Sequence, residues 1–63
     1  MPAQTNTQRI TFAQVAIGQR FFDLISAEYF VKTTDELAKM VSGDFAGSLP
    51  DEFEPDDPVR IGN

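Results

Sequence analysis

The side chains able to do chemistry in this chain are ten carboxylates, five bases and the serines Ser26, Ser42 and Ser48, with no cysteine and no histidine among 63 residues. A serine becomes a nucleophile only beside a general base, most often histidine. These serines have none, so they read as turn residues. Paired carboxylates do acid–base work when burial drives their pKa values apart, and most of the acids here lie in a proline-rich, solvent-facing stretch. The missing cysteine and histidine also remove disulfides, thiolate sites and imidazole ligands. A chain of this length has little room to enclose a pocket of the usual few hundred cubic ångströms. No enzyme is expected, and no cofactor.

Two ligand-binding patterns deserve a test against their templates. Asp51-Glu52-x-Glu54-x-Asp56-Asp57 offers many hard oxygen ligands for calcium. An EF-hand loop also needs a glycine in its middle and a glutamate at its end. Counted from Pro50, Pro55 stands where that glycine would fall and no terminal glutamate follows, so no metal site is expected. Gly43-x-x-x-Gly47 matches neither a Walker loop nor a dinucleotide fingerprint.

Charge distribution is more informative. From Met1 to Ser42 the bases Arg9, Arg20, Lys32 and Lys39 balance the acids Asp23, Glu28, Asp35 and Glu36. From Gly43 to Pro58 come Asp44, Asp51, Glu52, Glu54, Asp56 and Asp57 without a base, and Arg60 returns one positive charge. The net charge of −5 therefore resides in one segment. Such a segment repels nucleic acid and anionic lipid, which predicts a protein partner, with no direct nucleic acid and no membrane. Lys32 and Lys39 are too sparse for a nucleic-acid patch. Met1 to Gln8 lacks the pattern of a secretory signal, and the apolar runs fall far short of the roughly 20 residues of a membrane span. A cytoplasmic location is expected.

The elements that must position these groups follow from spacing. The first eight residues read as a disordered tail, and residues 9–63 as one small domain with an acidic loop at 43–58. Thr11 suits the N-cap of a single helical or 3₁₀ turn that sets Phe12 and Val15 on one side. Residues 20–33 read as a hairpin closed at Ser26-Ala27, with Tyr29 and Val31 on one face and Glu28, Phe30 and Lys32 on the other. Phe12, Phe21, Phe22, Tyr29 and Phe30 are the expected core, although adjacent Phe21 and Phe22 must face opposite ways along a strand.

Residues 34–42 admit two readings. Thr33 and Glu36 make a capping box, and Leu37, Met40 and Val41 recur at helical spacing before Gly43. A turn at 34–36 followed by a strand from Leu37 is the alternative. In the acidic loop Phe45, Leu49 and Phe53 are spaced to anchor onto the core. Val59-Arg60-Ile61 reads as a terminal edge strand.

Phe12-x-x-Val15-x-x-Gly18-x-x-Phe21, Tyr29-x-Val31-Lys32, Ala38, Ser42-Gly43, Phe53-x-Pro55 and Val59-x-Ile61 together resemble very short bacterial and phage-encoded proteins that look like small SH3-type β-barrels. The resemblance spans residues 11–61. It implies a mainly β fold, a small SH3-like barrel or strongly bent antiparallel sheet, with strand rather than helix at 37–42. The alternative is α+β with a short helix at 34–42. It implies no catalytic residues, and the acidic stretch between Gly43 and Phe53 is longer than in many such proteins.

The predicted interaction site is Asp44, Asp51, Glu52, Phe53, Glu54, Asp56 and Asp57. In an extended chain, alternate residues lie about 6.6 Å apart. Glu52, Glu54 and Asp56 would then form a row of carboxylates that loosely imitates a nucleic-acid strand, with Asp51 and Asp57 on the other side. By size and composition the chain is similar to phage-encoded inhibitors such as anti-CRISPR proteins. That implies binding to, and inhibition of, a DNA- or RNA-binding complex. The alternative is an adaptor barrel that homodimerises or docks on an assembly through the hairpin.

Overall fold

The computed structural model describes residues 8–43 and 49–62. The chain is mainly β: β1 (Gln8–Thr11), a 3₁₀ turn (Phe12–Gln14), β2 (Arg20–Asp23), β3 (Glu28–Lys32), β4 (Leu37–Met40), β5 (Asp51–Glu52) and β6 (Pro58–Ile61). The strands form one open antiparallel sheet in the order β1-β6-β2-β3-β4-β5. The sheet curls strongly: Phe12, just past edge strand β1, stacks on Phe53, just past edge strand β5, with ring centroids 4.7 Å apart. Backbone bonds Phe12 N–H to Asp57 O (2.9 Å) and Ala13 N–H to Pro55 O (3.0 Å) hold the 3₁₀ turn against the approach to β6.

Alternation along the strands decides the core. Phe21 and Phe30 are register partners on the inner face, joined by Ala38, Val59, Phe12, Val15 and Phe53. Each large apolar side chain so buried contributes on the order of 1.5–3 kcal/mol. Phe22 and Tyr29, expected in the core, are instead partners on the outer face. A sheet strand cannot turn two adjacent residues to the same side.

The 3₁₀ turn lies where the sequence predicts it, with the Thr11 N–H donating to Gln14 Oε1 at 2.9 Å. The hairpin also forms, but its loop takes four residues, Leu24 to Ala27, rather than a tight Ser26-Ala27 connection. Buried Asp23 organises it, accepting from the Ile25 and Ser26 N–H groups and from Ser26 Oγ. Ala27 closes the loop at φ 62°, a left-handed conformation that penalises a β-carbon. Replacing Ala27 by Gly is expected to stabilise the protein by about 0.5–1 kcal/mol, since relief of that strain outweighs the added freedom of the unfolded chain. Equilibrium urea unfolding checks it, and a lowered midpoint would refute it.

Residues 37–40 are strand, not helix. The threonines that resemble a helix cap are spent on a turn: Thr34 Oγ1 accepts from the Glu36 and Leu37 N–H groups, and Thr33 Oγ1 donates to Leu37 O. Pairing with β3 then satisfies the backbone and seats Ala38 in the core. A two-turn helix would gain too little burial to compete.

Three further expectations change. Gln8, assigned to the tail, is the first residue of β1, while residues 1–7 lie outside the described residues. β6 is not an edge: it sits between β1 and β2, because pairing on both sides buries Val59 completely. Leu49 does not anchor its loop and is largely exposed, whereas Phe53 does; Phe45 lies outside the described residues.

Candidate functional site

The acidic segment is anchored at its centre. Phe53 is buried, stacked on Phe12 and edge-on to Phe21 and Phe30, and its N–H donates to Glu36 O at 2.8 Å. Asp51, Glu52, Glu54 and Asp56 around it are exposed. Asp44 lies outside the described residues.

The expected row of carboxylates does not form. The strand ends at Glu52, and Glu54 to Asp57 is a turn closed by Asp57 N–H to Glu54 O at 3.1 Å. Asp57 Oδ2 accepts from the Glu54 N–H at 2.9 Å, so this carboxylate is partly committed to the turn. Pro55 explains the difference. Its fixed φ suits extended chain, but it equally suits the second position of a type I turn, which Glu54 to Asp57 provides. The outcome is a compact acidic projection on a buried aromatic root. Among the described residues no three carboxylates converge closely enough to hold a metal ion, although Asp51, Glu52 and Asp57 border a shared shallow concavity with Phe53.

A second charged surface is present that the linear sequence hides. Strand register places Arg9 opposite Arg60, Arg60 opposite Phe22, and Phe22 opposite Tyr29, a row crossing β1, β6, β2 and β3 on the outer face. A parallel row sets Arg20 opposite Val31 and Val31 opposite Lys39. Four of the five bases therefore share one face with two aromatic rings. The Arg20 guanidinium lies 4.4 Å from the Tyr29 ring centre and that of Arg60 5.8 Å from the Phe22 ring centre. Phe22 and Tyr29 meet edge to face at 5.0 Å. Arg20, Phe22, Tyr29, Arg60 and Ile61 line an open groove of about 350 Å³. The alternation of 20, 22, 29 and 31 was readable from the hairpin. What joins Arg60 and Arg9 to them is the insertion of β6 between β1 and β2, which no local pattern announces.

Lys32, the fifth base, is not on this face. Its side chain is buried, with Nζ donating to Phe12 O (2.9 Å) and Val15 O (2.8 Å) and lying 4.4 Å from the Phe12 ring centre. It ties β3 to the 3₁₀ turn.

No helix among the described residues is long and apolar enough to cross a membrane. No family model, curated protein or solved structure matches this chain.

Proposed function

We propose that the protein is a small cytoplasmic binding module, not an enzyme, that inhibits a nucleic-acid-handling protein complex by docking its acidic projection on a cationic surface. Its kinship with short SH3-like bacterial and phage-encoded proteins belongs to the same proposal. The observation that carries it is the rooting of Asp51, Glu52, Glu54 and Asp56 on buried Phe53. A merely solubilising loop has no need of an aromatic root, a backbone bond to Glu36 and a capped turn. Preorganised charge loses less entropy on docking than a floppy tail does. The projection also meets cationic surfaces by electrostatic steering. Its imitation of nucleic acid is one of charge density and not of phosphate spacing.

The test is a quadruple variant, Asp51→Asn, Glu52→Gln, Glu54→Gln and Asp56→Asn, with Asp57 retained because it caps the turn. Wild type immobilised in host lysate is expected to retain a DNA- or RNA-handling protein at low salt and release it as salt rises. The variant is expected to retain it at least about tenfold less. Equal retention by both proteins, or retention insensitive to salt, sinks the reading. The adaptor alternative finds support in one feature, the aromatic pair Phe22 and Tyr29 on the outer sheet face. A partner that survives high salt and is lost on Tyr29→Ala would favour it.

A further inference from the structure

We infer that the outer face of the sheet binds single-stranded nucleic acid, with Phe22 and Tyr29 as stacking platforms and Arg9, Arg20, Arg60 and Lys39 as phosphate contacts. The inference departs from the expectation drawn from net charge, because the fold separates the charges that the sequence sums. The acids of the projection lie in β5 and in the turn that leads into β6, and of the two in β5 register sets Glu52, opposite Leu37, on the side that carries Lys39. The face built on β1, β6, β2 and β3 carries only bases and rings in its central row.

Three features indicate this occupant. First, Arg9 and Arg60 are register partners, and like charges directly opposite destabilise a sheet. A fold that tolerates such a pair gains when an anion bridges it. Second, the cations come with aromatic rings: Tyr29 is 40% exposed with Arg20 over one side of its ring, and Phe22 is half-buried beside Arg60. Sequence-tolerant binding of single strands uses this combination of aromatic platforms on a sheet and basic side chains along the backbone. The row from Arg9 to Tyr29 crosses three strand spacings, about 14 Å, room for two or three splayed nucleotides. Third, an acidic peptide, including the projection of a second copy, explains less. It would use the cations and leave the rings idle, because the aromatic residue of the projection, Phe53, is buried. A duplex would also leave them idle, since its bases are already stacked.

The probe is a fluorescein-labelled oligothymidylate about 10 nucleotides long, the scale of one sheet-face site. Anisotropy is read between about 50 and 200 mM salt, with a hairpin duplex and an oligoglutamate peptide as comparisons. The full chain is expected to bind the single strand most tightly, with log affinity against log salt falling at a slope of about −2 to −3 if three or four phosphates are engaged. Tyr29→Leu keeps apolar cover beside Phe22 but removes a stacking face, and is expected to weaken binding at least about fivefold. Arg20→Gln with Arg60→Gln is expected to lower the magnitude of the slope by about 1.4. Circular dichroism confirms that each variant is folded, and only folded variants are compared. Absence of oligonucleotide binding by folded wild type overturns the inference. So does equal binding by Tyr29→Leu. Tighter binding of oligoglutamate than of the oligonucleotide overturns it too, and reassigns the face to an acidic protein.

Discussion

Replacing Phe12 by Ala is expected to remove about half or more of the protein's folding stability at room temperature. Phe12 is fully buried and lies where the two ends of the curled sheet meet, stacked on Phe53 and edge-on to Phe21 at 5.6 Å. Truncating a buried phenylalanine costs about 3–5 kcal/mol in lost transfer energy and residual cavity. A domain of this size has a total stability of only about 3–9 kcal/mol. Neither a disulfide nor a described metal site is present to make up the difference. Collapse cannot close the cavity cheaply, because Phe53 would have to move and carry the acidic projection with it. Thermal unfolding followed by circular dichroism is the measurement. A cooperative transition within about 1 kcal/mol of wild type would show that the two ends of the sheet do not depend on this ring.

The second large effect is expected from Lys32→Met. The methylene stem of the lysine fills inner-face volume, and methionine replaces it at nearly equal size. What is lost is the pair of hydrogen bonds from Nζ to Phe12 O and Val15 O. Phe12 O keeps a bond from the Val15 N–H at 3.0 Å. Bonds donated by a charged group are each worth about 1.5–3 kcal/mol, and a buried acceptor left empty costs about 1–3 kcal/mol. A loss of about 2–4 kcal/mol is therefore expected, seen as a fall of about 2 M in the urea midpoint at a slope near 1–2 kcal/mol/M. Lys32→Arg should not rescue it, because a planar fork does not fit a site shaped for a compact ammonium. Wild-type stability of Lys32→Met would mean that packing alone holds the 3₁₀ turn on β3.

The two variants converge on the same joint. Phe12 and Lys32 both fasten the 3₁₀ turn, and the turn in turn bonds the backbone at Pro55 and Asp57. Loss of either fastening is expected to loosen the acidic projection before it disturbs the hairpin. Hydrogen exchange should therefore report lower protection at the Phe53 and Asp57 amides than at those of β2 and β3.

The amino-acid sequence by itself determined the hairpin, the 3₁₀ turn, the inner and outer alternation of residues 28–32, and the segregation of acid into one segment. Each of these is local: it depends on period, on a cap, or on composition within a short window. Tertiary structure decided what local rules could not. Residues 37–40 became a strand because β3 offered an unpaired edge, although their own spacing suited a helix equally well. β6 went inside the sheet, between β1 and β2, because burying Val59 needs a neighbour on each side, and its residues alone read as an edge. Pro55 was compatible with extension and with a turn, and the pull of Phe53 into the core selected the turn. The basic face is the clearest case. Arg9, Arg20, Lys39 and Arg60 are scattered among acids along the chain and come together only through strand register. Net charge is a sum over the chain, whereas recognition depends on where each charge is placed, and that placement follows from long-range pairing.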